Sequence, residues 1–425
     1  MDAPLRESGF EALSAALRRD QERWAIALDG LVLKSVFQPV YSLSHGRPVG
    51  HEALVRAFDA SGARVASELA LRGDASFQHL LRGDRAARMI HALNFAELVG
   101  TDPHWLFFNM QAQVFASLAT LTSDGFQRAL QARCGIQGRQ VVLEVLEQEV
   151  SADADFDSAA RAVRASGGLI AIDDFGAGRS NFDRVWRIAP EIVKLDRSLV
   201  RRAALEPQAS RIVTQMVSLL HQCGALVLME GIETQEEACV ALDANADLVQ
   251  GELFGSPQPT LAAPGDTPSA LHLLWEHYEA RRADAQRRYH ERIRPYINAI
   301  GYASALLADG KPFAEAVAGF LQLPLAEVCY LLGRDAMQIG DNVWASELHY
   351  RERPAFAPMR DTRDAHWARR PYYRRAMEAF GRVQVTRPYR TLHGAHLCVT
   401  ISVALRTSEG LRVVCGDVGW SGDLA

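Results

Sequence analysis

The sequence has few cysteines, no long apolar run and little net charge. Its six cysteines are scattered without a CxxC pair, so they are expected to be reduced core thiols and not disulfide or zinc ligands. No apolar run approaches the roughly 18 residues that span a bilayer, and the N-terminal segment lacks the apolar stretch of a secretory signal. The net charge of −5 is too small to indicate a dedicated binder of nucleic acid or anionic membrane. These absences predict a cytoplasmic protein without a membrane span.

The sequence does contain an alternation of short apolar runs and helix-sized segments. Its 425 residues suffice for two or three domains, or for one barrel of about 250 residues and a smaller domain. Residues 8–30 have helical apolar spacing, which predicts a lead-in helix for segment 1–30. Eight runs rich in Val, Ile, Leu and Phe follow, at 31–40, 48–58, 105–110, 140–147, 168–176, 192–196, 225–232 and 247–251. Such runs are typical of buried parallel strands, and they predict an α/β fold with a TIM-like (β/α)8 barrel over 31–260.

The composition changes after the eighth run. Residues 256–269 contain four prolines and a glycine, which predicts the end of the barrel and a linker. A linker and connecting helix are expected over 261–295, where mixed charges favour a signalling or dimerisation helix over a nucleic-acid-binding one. A smaller α+β domain is predicted for 296–425. Its helices are expected over about 296–335 and its strands at 382–389, 396–405 and 411–419.

Polar residues, most of them acidic, recur at the ends of the predicted strands. In a barrel these ends form one rim and carry the functional side chains. The residues are Glu52, Asn109, Glu144, Glu147, Asp173, Asp174, Lys194, Asp196, Glu230, Glu233 and Gln250. Converging carboxylates repel one another unless a cation lies among them, and oxygen ligands suit Mg²⁺ or Mn²⁺. No His or Cys stands at these positions, which argues against zinc, and the Asp173–Asp174 pair suits two metals about 3.5–4 Å apart.

Hard metals at a barrel mouth indicate phosphate chemistry, because they activate water and neutralise charge on phosphoryl oxygens. Lys194 is then a candidate for orienting the attacking water or stabilising the phosphoryl group. Arg56 lies on the same strand face as Glu52 and is able to pair with a phosphate in bidentate fashion. A salt bridge from Arg56 to a rim carboxylate is the alternative interpretation.

Eight ordered motifs resemble the EAL domain, the bacterial cyclic di-GMP-specific phosphodiesterase, over roughly residues 30–260. They are FQPVYSL (37–43), EALVR (52–56), FFNM (107–110), LEVLE (143–147), DDFGAGRSNF (173–182), VKLDRSLV (193–200), MEGIET (229–234) and QGELFGSPQP (250–259). The resemblance implies hydrolysis of cyclic di-GMP to linear pGpG with Mg²⁺ or Mn²⁺, two ions per site. It also implies a homodimer.

The resemblance also implies roles for individual residues. Catalytic roles fall to Lys194, Glu230 and Glu52, and metal ligation to Glu52, Asn109, Glu144, Asp173, Asp174 and Glu230. Positions that hold the dinucleotide are Gln38, Leu54, Arg56, Asp196 and Gln250. Glu147 and Glu233 are expected to control the adjacent loop and the dimer.

The chain departs from the family pattern near this site without losing an expected metal ligand. The changed positions are Leu146, Ala177, Arg179, Asn181 and Glu252. An active enzyme is the prediction. The alternative is a weak or inactive EAL protein that acts as a cyclic di-GMP receptor and signals to a partner. No GGDEF-type segment is visible, so a cyclase half is not expected.

Segment 366–425 is similar to PAS/Cache-like sensor domains, which implies a regulatory domain with a small-ligand pocket. Its candidate residues are Trp367, Arg370, Tyr372, Tyr373, Tyr389 and Asp417. Aromatic walls and an arginine suit a small anion. Two alternatives stay open, namely that the aromatic residues are core packing and that the arginine-rich stretch 360–390 contacts nucleic acid.

Overall fold

The computed structural model describes residues 9–66, 76–99, 103–121, 125–150, 154–178, 182–263, 265, 268–345, 362, 364–391 and 397–420. The chain divides into two compact units, Met1–Tyr278 and Glu279–Ala425. None of the helices in the described ranges is both long enough and apolar enough to cross a membrane. All six cysteines are free thiols.

The first unit alternates strands and helices. Its strands are β1 (Leu17–Asp20), β2 (Arg23–Leu28), β3 (Leu31–Ser42), β4 (Arg47–Phe58), β5 (Arg64–Val65), β6 (Trp105–Asn109), β7 (Val141–Leu146), β8 (Leu169–Phe175), β9 (Ile192–Leu195), β10 (Leu226–Met229) and β11 (Leu248–Val249). Its helices are α1 (Phe10–Ala15), α2 (Phe77–Val99), α3 (Ala112–Ala116), α4 (Leu118–Leu121), α5 (Phe126–Cys134), α6 (Ala154–Ala165), α7 (Phe182–Ile188), α8 (Arg197–Leu205), α9 (Pro207–Gln222) and α10 (Gln235–Asp243).

Eight strands close into a barrel, in the order β3-β11-β10-β9-β8-β7-β6-β4, with β4 pairing back to β3. The barrel prediction is confirmed, and the eight apolar runs coincide with these strands. The prediction of an all-parallel barrel is wrong for β3, which runs antiparallel to both β4 and β11. A buried apolar run has the same appearance in either direction, so the sequence carries no signal for this reversal.

The predicted helix over 8–30 is wrong beyond residue 15. Helix α1 is short, and β1 and β2 form an antiparallel hairpin that adds to the edge of β3. Gln21 and Glu22 make the turn with φ of 48° and 66°. The pattern misleads because Trp24 and Leu28 are four residues apart, a spacing that places them on one face of a helix and equally on one face of a strand.

The second unit is an antiparallel sheet with helices. Its strands are β12 (Ala326–Gly333), β13 (Gln338–Trp344), β14 (Gln384–Val385), β15 (Tyr389–Arg390), β16 (Leu397–Thr407) and β17 (Gly410–Gly419), ordered β13-β12-β17-β16-β14 with β15 on β16. Its helices are α12 (Phe313–Leu321) and α13 (Pro371–Glu378), and it includes the later part of α11 (Ser269–Ala308).

The helical prediction for 296–335 is wrong at its end, where β12 begins. Side chains of β12 alternate between two buried clusters, with Cys329 in one and Val328 and Tyr330 in the other. A strand that is buried on both faces lacks the polar alternation of a half-exposed strand, so periodicity alone does not separate it from a buried helix.

Candidate active site

Seven polar side chains meet at one end of the barrel, each from a different strand or the residue just after it. They are Glu52 (β4), Asn109 (β6), Glu144 (β7), Asp173 (β8), Lys194 (β9), Glu230 (after β10) and Gln250 (after β11). Strand register brings neighbours together: Asn109 pairs with Glu144 across β6 and β7, and Gln38 with Glu52 across β3 and β4. We refer to these seven residues as the barrel site.

Lys194 lies at the centre of the barrel site, with a side chain that is 1% exposed. Its Nζ atom is 3.0 Å from Glu144 Oε1, 3.0 Å from Asp173 Oδ1, 3.1 Å from Glu230 Oε2 and 3.4 Å from Glu52 Oε2. One cation therefore contacts four carboxylates in a buried position.

This excess of negative charge shifts the pKa values of the site. Burial raises the pKa of Glu144 well above its usual range, and Glu52 and Asp173 raise it further. Burial, Asp173 and Glu52 together raise the pKa of Glu230 to about 8. Burial alone lowers the pKa of Lys194, but the four carboxylates outweigh it and raise that pKa well above its ordinary value. Lys194 thus stays protonated, yet a single positive charge does not neutralise its neighbours.

The donor set fits divalent metal ions. Glu144 is 2% exposed, and the cation beside it is Lys194, 3.0 Å from its Oε1, which three other carboxylates also contact. Buried carboxylates that share one cation are costly without further positive charge. Oxygen atoms from Glu, Asp and Asn are the ligands that Mg²⁺ and Mn²⁺ prefer.

A second group of ligand atoms lies at the end of β8. Oxygen atoms of Asp173, Asp174 and Glu230 all lie within 4.8 Å of one another. Successive residues of a regular strand point to opposite faces. Asp174 departs from that rule because its φ of 56° is left-handed, and the β8–β9 register shifts between Ile172 and Phe175. The irregularity turns both carboxylates of the Asp173–Asp174 pair to the same side.

Amide side chains position Glu52 from both sides. Asn109 Nδ2 donates to Glu52 Oε1 at 2.7 Å, and Gln250 Nε2 donates to Glu52 Oε2 at 2.8 Å. Gln250 Nε2 also lies 3.2 Å from Gln38 Oε1, and Gln38 Nε2 donates to the carbonyl of Gly255. Gln250 Oε1 is buried without a hydrogen-bond partner among the described residues, so it is an acceptor available to a bound molecule.

The other predicted substrate positions lie farther along the same strands. Leu54 and Arg56 follow Glu52 on one face of β4, and both are half-buried. Arg56 Nη1 donates to the carbonyl of Val55, and burial lowers the pKa of its guanidinium. Asp196 caps helix α8 by accepting from the Ser198 backbone N–H at 3.0 Å.

Two predicted control residues have arginine partners that the sequence did not indicate. Glu147, directly after β7, is 1% exposed and lies 3.2 Å from Nη1 of Arg184 in α7. Glu233 lies 2.8 Å from Nη1 of Arg197 at the start of α8. Neither arginine stands in a motif or spacing that points to a carboxylate of another element, so neither partner has a sequence signal.

The departures from the family pattern fall in different places. Leu146 ends β7, opposite Asp173 of β8. Ala177 follows the β8 strand, and Glu252 is exposed. Arg179 and Asn181 lie outside the described residues.

The second unit contains a pocket that gathers five of the six candidates: Trp367, Arg370, Tyr372, Tyr389 and Asp417. Tyr373 is not in its lining and donates to the carbonyl of Arg334 at 2.6 Å. The remaining lining residues are Tyr330, Gln338, Asn342, Thr362 and Thr391, which the sequence did not single out.

Comparison with known proteins places the barrel unit in a family. Residues 21–257 match the EAL domain family. The cyclic di-GMP phosphodiesterase RocR of Pseudomonas aeruginosa is 32% identical over 97 residues, 23% of this chain and 25% of that protein. The cyclic di-GMP phosphodiesterase PdeL of Escherichia coli is 25% identical over 247 residues, 56% of this chain and 66% of that protein. The chain spans about a quarter of the first curated relatives that it matches.

A solved structure shares the fold across most of the chain. The Bacillus subtilis YkuI protein, with an EAL domain, in complex with substrate c-di-GMP and calcium, has a TM-score of 0.77 and 18% sequence identity. The match covers 92% of this chain and 97% of that chain. At this identity the likeness establishes the fold.

Proposed function

The chain belongs to the EAL domain family, and from its barrel site we propose that it is a metal-dependent phosphodiesterase that opens cyclic di-GMP to linear pGpG. The observation that carries the proposal is the contact of Lys194 with four carboxylates at the barrel mouth. The names of RocR and PdeL as cyclic di-GMP phosphodiesterases support the choice of substrate.

Two metal ions are proposed, held by Glu52, Asn109, Glu144 and Asp173 and by Asp173, Asp174 and Glu230. When bound, such ions lower the pKa of water and neutralise charge on phosphoryl oxygens. Magnesium and manganese are the expected metals.

The side chains of the chain itself have three tasks in this reaction. Lys194 holds the carboxylates in place with its three N–H groups, and one of these would turn from a carboxylate to the attacking water when the substrate is bound. Glu230 lies at the edge of the Lys194 cluster and is the proposed acceptor of a proton from that water. Asn109 and Gln250 keep the Glu52 carboxylate in one orientation through hydrogen bonds to its two oxygens.

The dinucleotide is proposed to lie across the barrel mouth. Leu54 and Arg56 lie on the same face of β4. Arg56 would pair with a phosphate of the dinucleotide, and Leu54 would contact one of its bases. Gln38, Asp196 and Gln250 would orient the remainder of the molecule.

The test is release of pGpG by the purified full chain with Mg²⁺ or Mn²⁺, beside a working phosphodiesterase. The proposal predicts turnover that stops on chelation. Tight cyclic di-GMP binding by calorimetry without turnover would favour the receptor alternative. Absence of binding would exclude both functions.

We further propose that residues 31–260 are the catalytic domain and 296–425 a regulatory domain, joined by 261–295, and that the protein is a homodimer. Light scattering tests the dimer, with twice the chain mass as the expected result. A monomer at assay concentration that retains full activity would reject it.

A further inference from the structure

The face of β4 that carries Glu52 continues past the barrel site and gathers positive charge. Glu52, Leu54 and Arg56 share this face, because successive side chains of a strand alternate between its two faces. In β5, Arg64 pairs with Phe58, which belongs to the same face of β4, so the Arg64 side chain lies on that face as well. The wall formed by β4 and β5 thus extends from the barrel site to Arg64.

Lys34, Arg56 and Arg64 form a row of cations across three neighbouring strands. Lys34 of β3 is the direct cross-strand partner of Arg56, and Arg64 of β5 is its diagonal neighbour. Diagonal neighbours in an antiparallel pair are about 7–8 Å apart, which long side chains are able to bridge. Like charges that face each other across strands are destabilising, so this row favours an anion beside it.

The lysine of this row has a carboxylate partner, and the two arginines form no ion pair among the described residues. Lys34 Nζ pairs with Asp20 and lies 4.9 Å from the ring centre of Phe58. Arg56 Nη1 donates only to the carbonyl of Val55, at 3.0 Å, and Arg64 is exposed. Burial and then the nearby Arg64 charge lower the pKa of Arg56, while Glu52 opposes the shift. The arginines are therefore the part of the row that is available to an anion.

We propose that Arg64 is a further substrate-binding residue, which together with Arg56 holds the second phosphate of the cyclic dinucleotide, the one that is not hydrolysed. The inference rests on the proposed function, which supplies the dinucleotide. Arg64 lies outside the eight motifs that carry the family resemblance, so its position on the β4 face is the observation that assigns this role.

The chemistry of a cyclic dinucleotide fits this arrangement. Its ring contains two phosphodiester groups, and metals at Glu52 would hold one of them. Arg56 lies about 14 Å from Glu52 along β4, at about 3.4 Å per residue, and a long side chain covers part of that separation. A phosphodiester anion has two non-bridging oxygens, so it is able to accept hydrogen bonds from two guanidinium groups at once.

Steady-state kinetics of the full chain with Mg²⁺ test the inference with two substrates. Cyclic di-GMP has the second phosphate, whereas bis(p-nitrophenyl) phosphate is a diester with a single phosphate. Arg64→Ala should lower kcat/KM for cyclic di-GMP by about 10-fold or more, mainly through KM, since a charged hydrogen bond to the bound substrate is lost. It should leave kcat/KM for bis(p-nitrophenyl) phosphate within about twofold of its original value.

Arg47→Ala is the matched control. Arg47 is an exposed arginine at the opposite end of β4, so its removal changes the net charge equally but far from Arg56 along the strand. This variant should hydrolyse both substrates as the unchanged protein does. Arg64→Lys keeps the positive charge and should recover part of the lost kcat/KM, and circular dichroism checks the folding of each variant.

An unchanged KM for cyclic di-GMP in Arg64→Ala would overturn the inference. Equal losses for the two substrates would also overturn it, because a residue that only supports the fold affects both. If the unchanged protein binds cyclic di-GMP without hydrolysing it, calorimetric Kd values make the same comparison, and equal values for Arg64→Ala and Arg47→Ala would reject the inference. If the unchanged protein neither binds nor hydrolyses cyclic di-GMP, the proposed function fails and the inference fails with it.

Discussion

The barrel site and the pocket of the second unit both bury charged side chains, but they balance charge differently. In the barrel site one lysine faces four carboxylates within 3.4 Å. In the pocket one arginine and one aspartate share an aromatic lining. The barrel site is therefore incomplete without added positive charge, whereas the described lining of the pocket contains one charged residue of each sign.

The two sites also differ in how the chain builds them. Parallel strands deliver the barrel residues at their carboxyl ends, one after another in chain order. The pocket collects residues from β12, β13, β15, β17 and the start of α13. A site made of repeated strand ends leaves a periodic signature in the sequence, and a site made of unrelated elements does not.

The largest expected effect comes from removing one charge of the barrel site. Glu144→Gln should lower kcat/KM by about 10³-fold or more, since it removes a proposed metal ligand from the barrel site. The metal-free protein should not lose stability, because the substitution relieves repulsion among buried carboxylates. Turnover with Mg²⁺ and thermal unfolding after chelation measure the two outcomes.

The control for Glu144→Gln is Glu236→Gln, which changes an exposed carboxylate in the first turn of helix α10. It should change kcat/KM far less. Equal losses of kcat/KM in the two variants would contradict the assignment of Glu144 as a metal ligand. A large fall in the stability of metal-free Glu144→Gln would contradict the excess of negative charge in the barrel site.

Lys194→Met removes the positive charge of the lysine at the centre of the barrel site. The turnover number should fall by roughly 10²- to 10³-fold, while the affinity for cyclic di-GMP changes much less, because the proposed role of the lysine is to act on the attacking water. Steady-state kinetics and calorimetry of binding separate the two quantities. Equal losses of turnover and affinity would mean that Lys194 holds the substrate instead.

The barrel was predictable because its strands are continuous apolar runs and its polar residues stand where those runs end. This pattern predicts that Glu52, Asn109, Glu144, Asp173 and Lys194 lie together, and in the structure they are in contact. The direction of β3 was not predictable, since an apolar run has the same appearance in a parallel and in an antiparallel strand.

The second unit was less predictable because its central strands are covered on both sides. The sequence of β12 therefore lacks an alternation of polar and apolar residues. Tyr330 lies on this strand and lines the pocket, and the sequence did not indicate it. Arg184 was missed for a different reason: its importance comes from the burial of Glu147, a tertiary property.

Helix α7 forms two ion pairs within the barrel unit, one with a buried carboxylate and one with a partly exposed carboxylate. Their costs on removal compare buried and exposed charge directly. Arg184→Gln removes a partner of Glu147, which is 1% exposed, and should cost about 1–3 kcal/mol in the free energy of unfolding. Arg187→Gln removes a partner of Asp157, which is 35% exposed, and should cost less than about 1 kcal/mol. Urea unfolding measures both, and equal costs would show that burial of the carboxylate does not set the value.

The last expected effect, smaller than that of Arg184→Gln, is in the pocket, where hydroxyl groups connect the side chains. Tyr389→Phe removes the hydroxyl that contacts Thr400 Oγ1 and should cost about 0.5–1.5 kcal/mol in the free energy of unfolding. Tyr302→Phe, at a side chain that is 66% exposed, is the matched control and should have no measurable cost. The loss stays small because Asp417 keeps its bond from Thr400. A cost of several kcal/mol would mean that Tyr389 holds the Asp417 carboxylate in place, and the pocket would then depend on a cooperative buried network in the way that the barrel site depends on its cation.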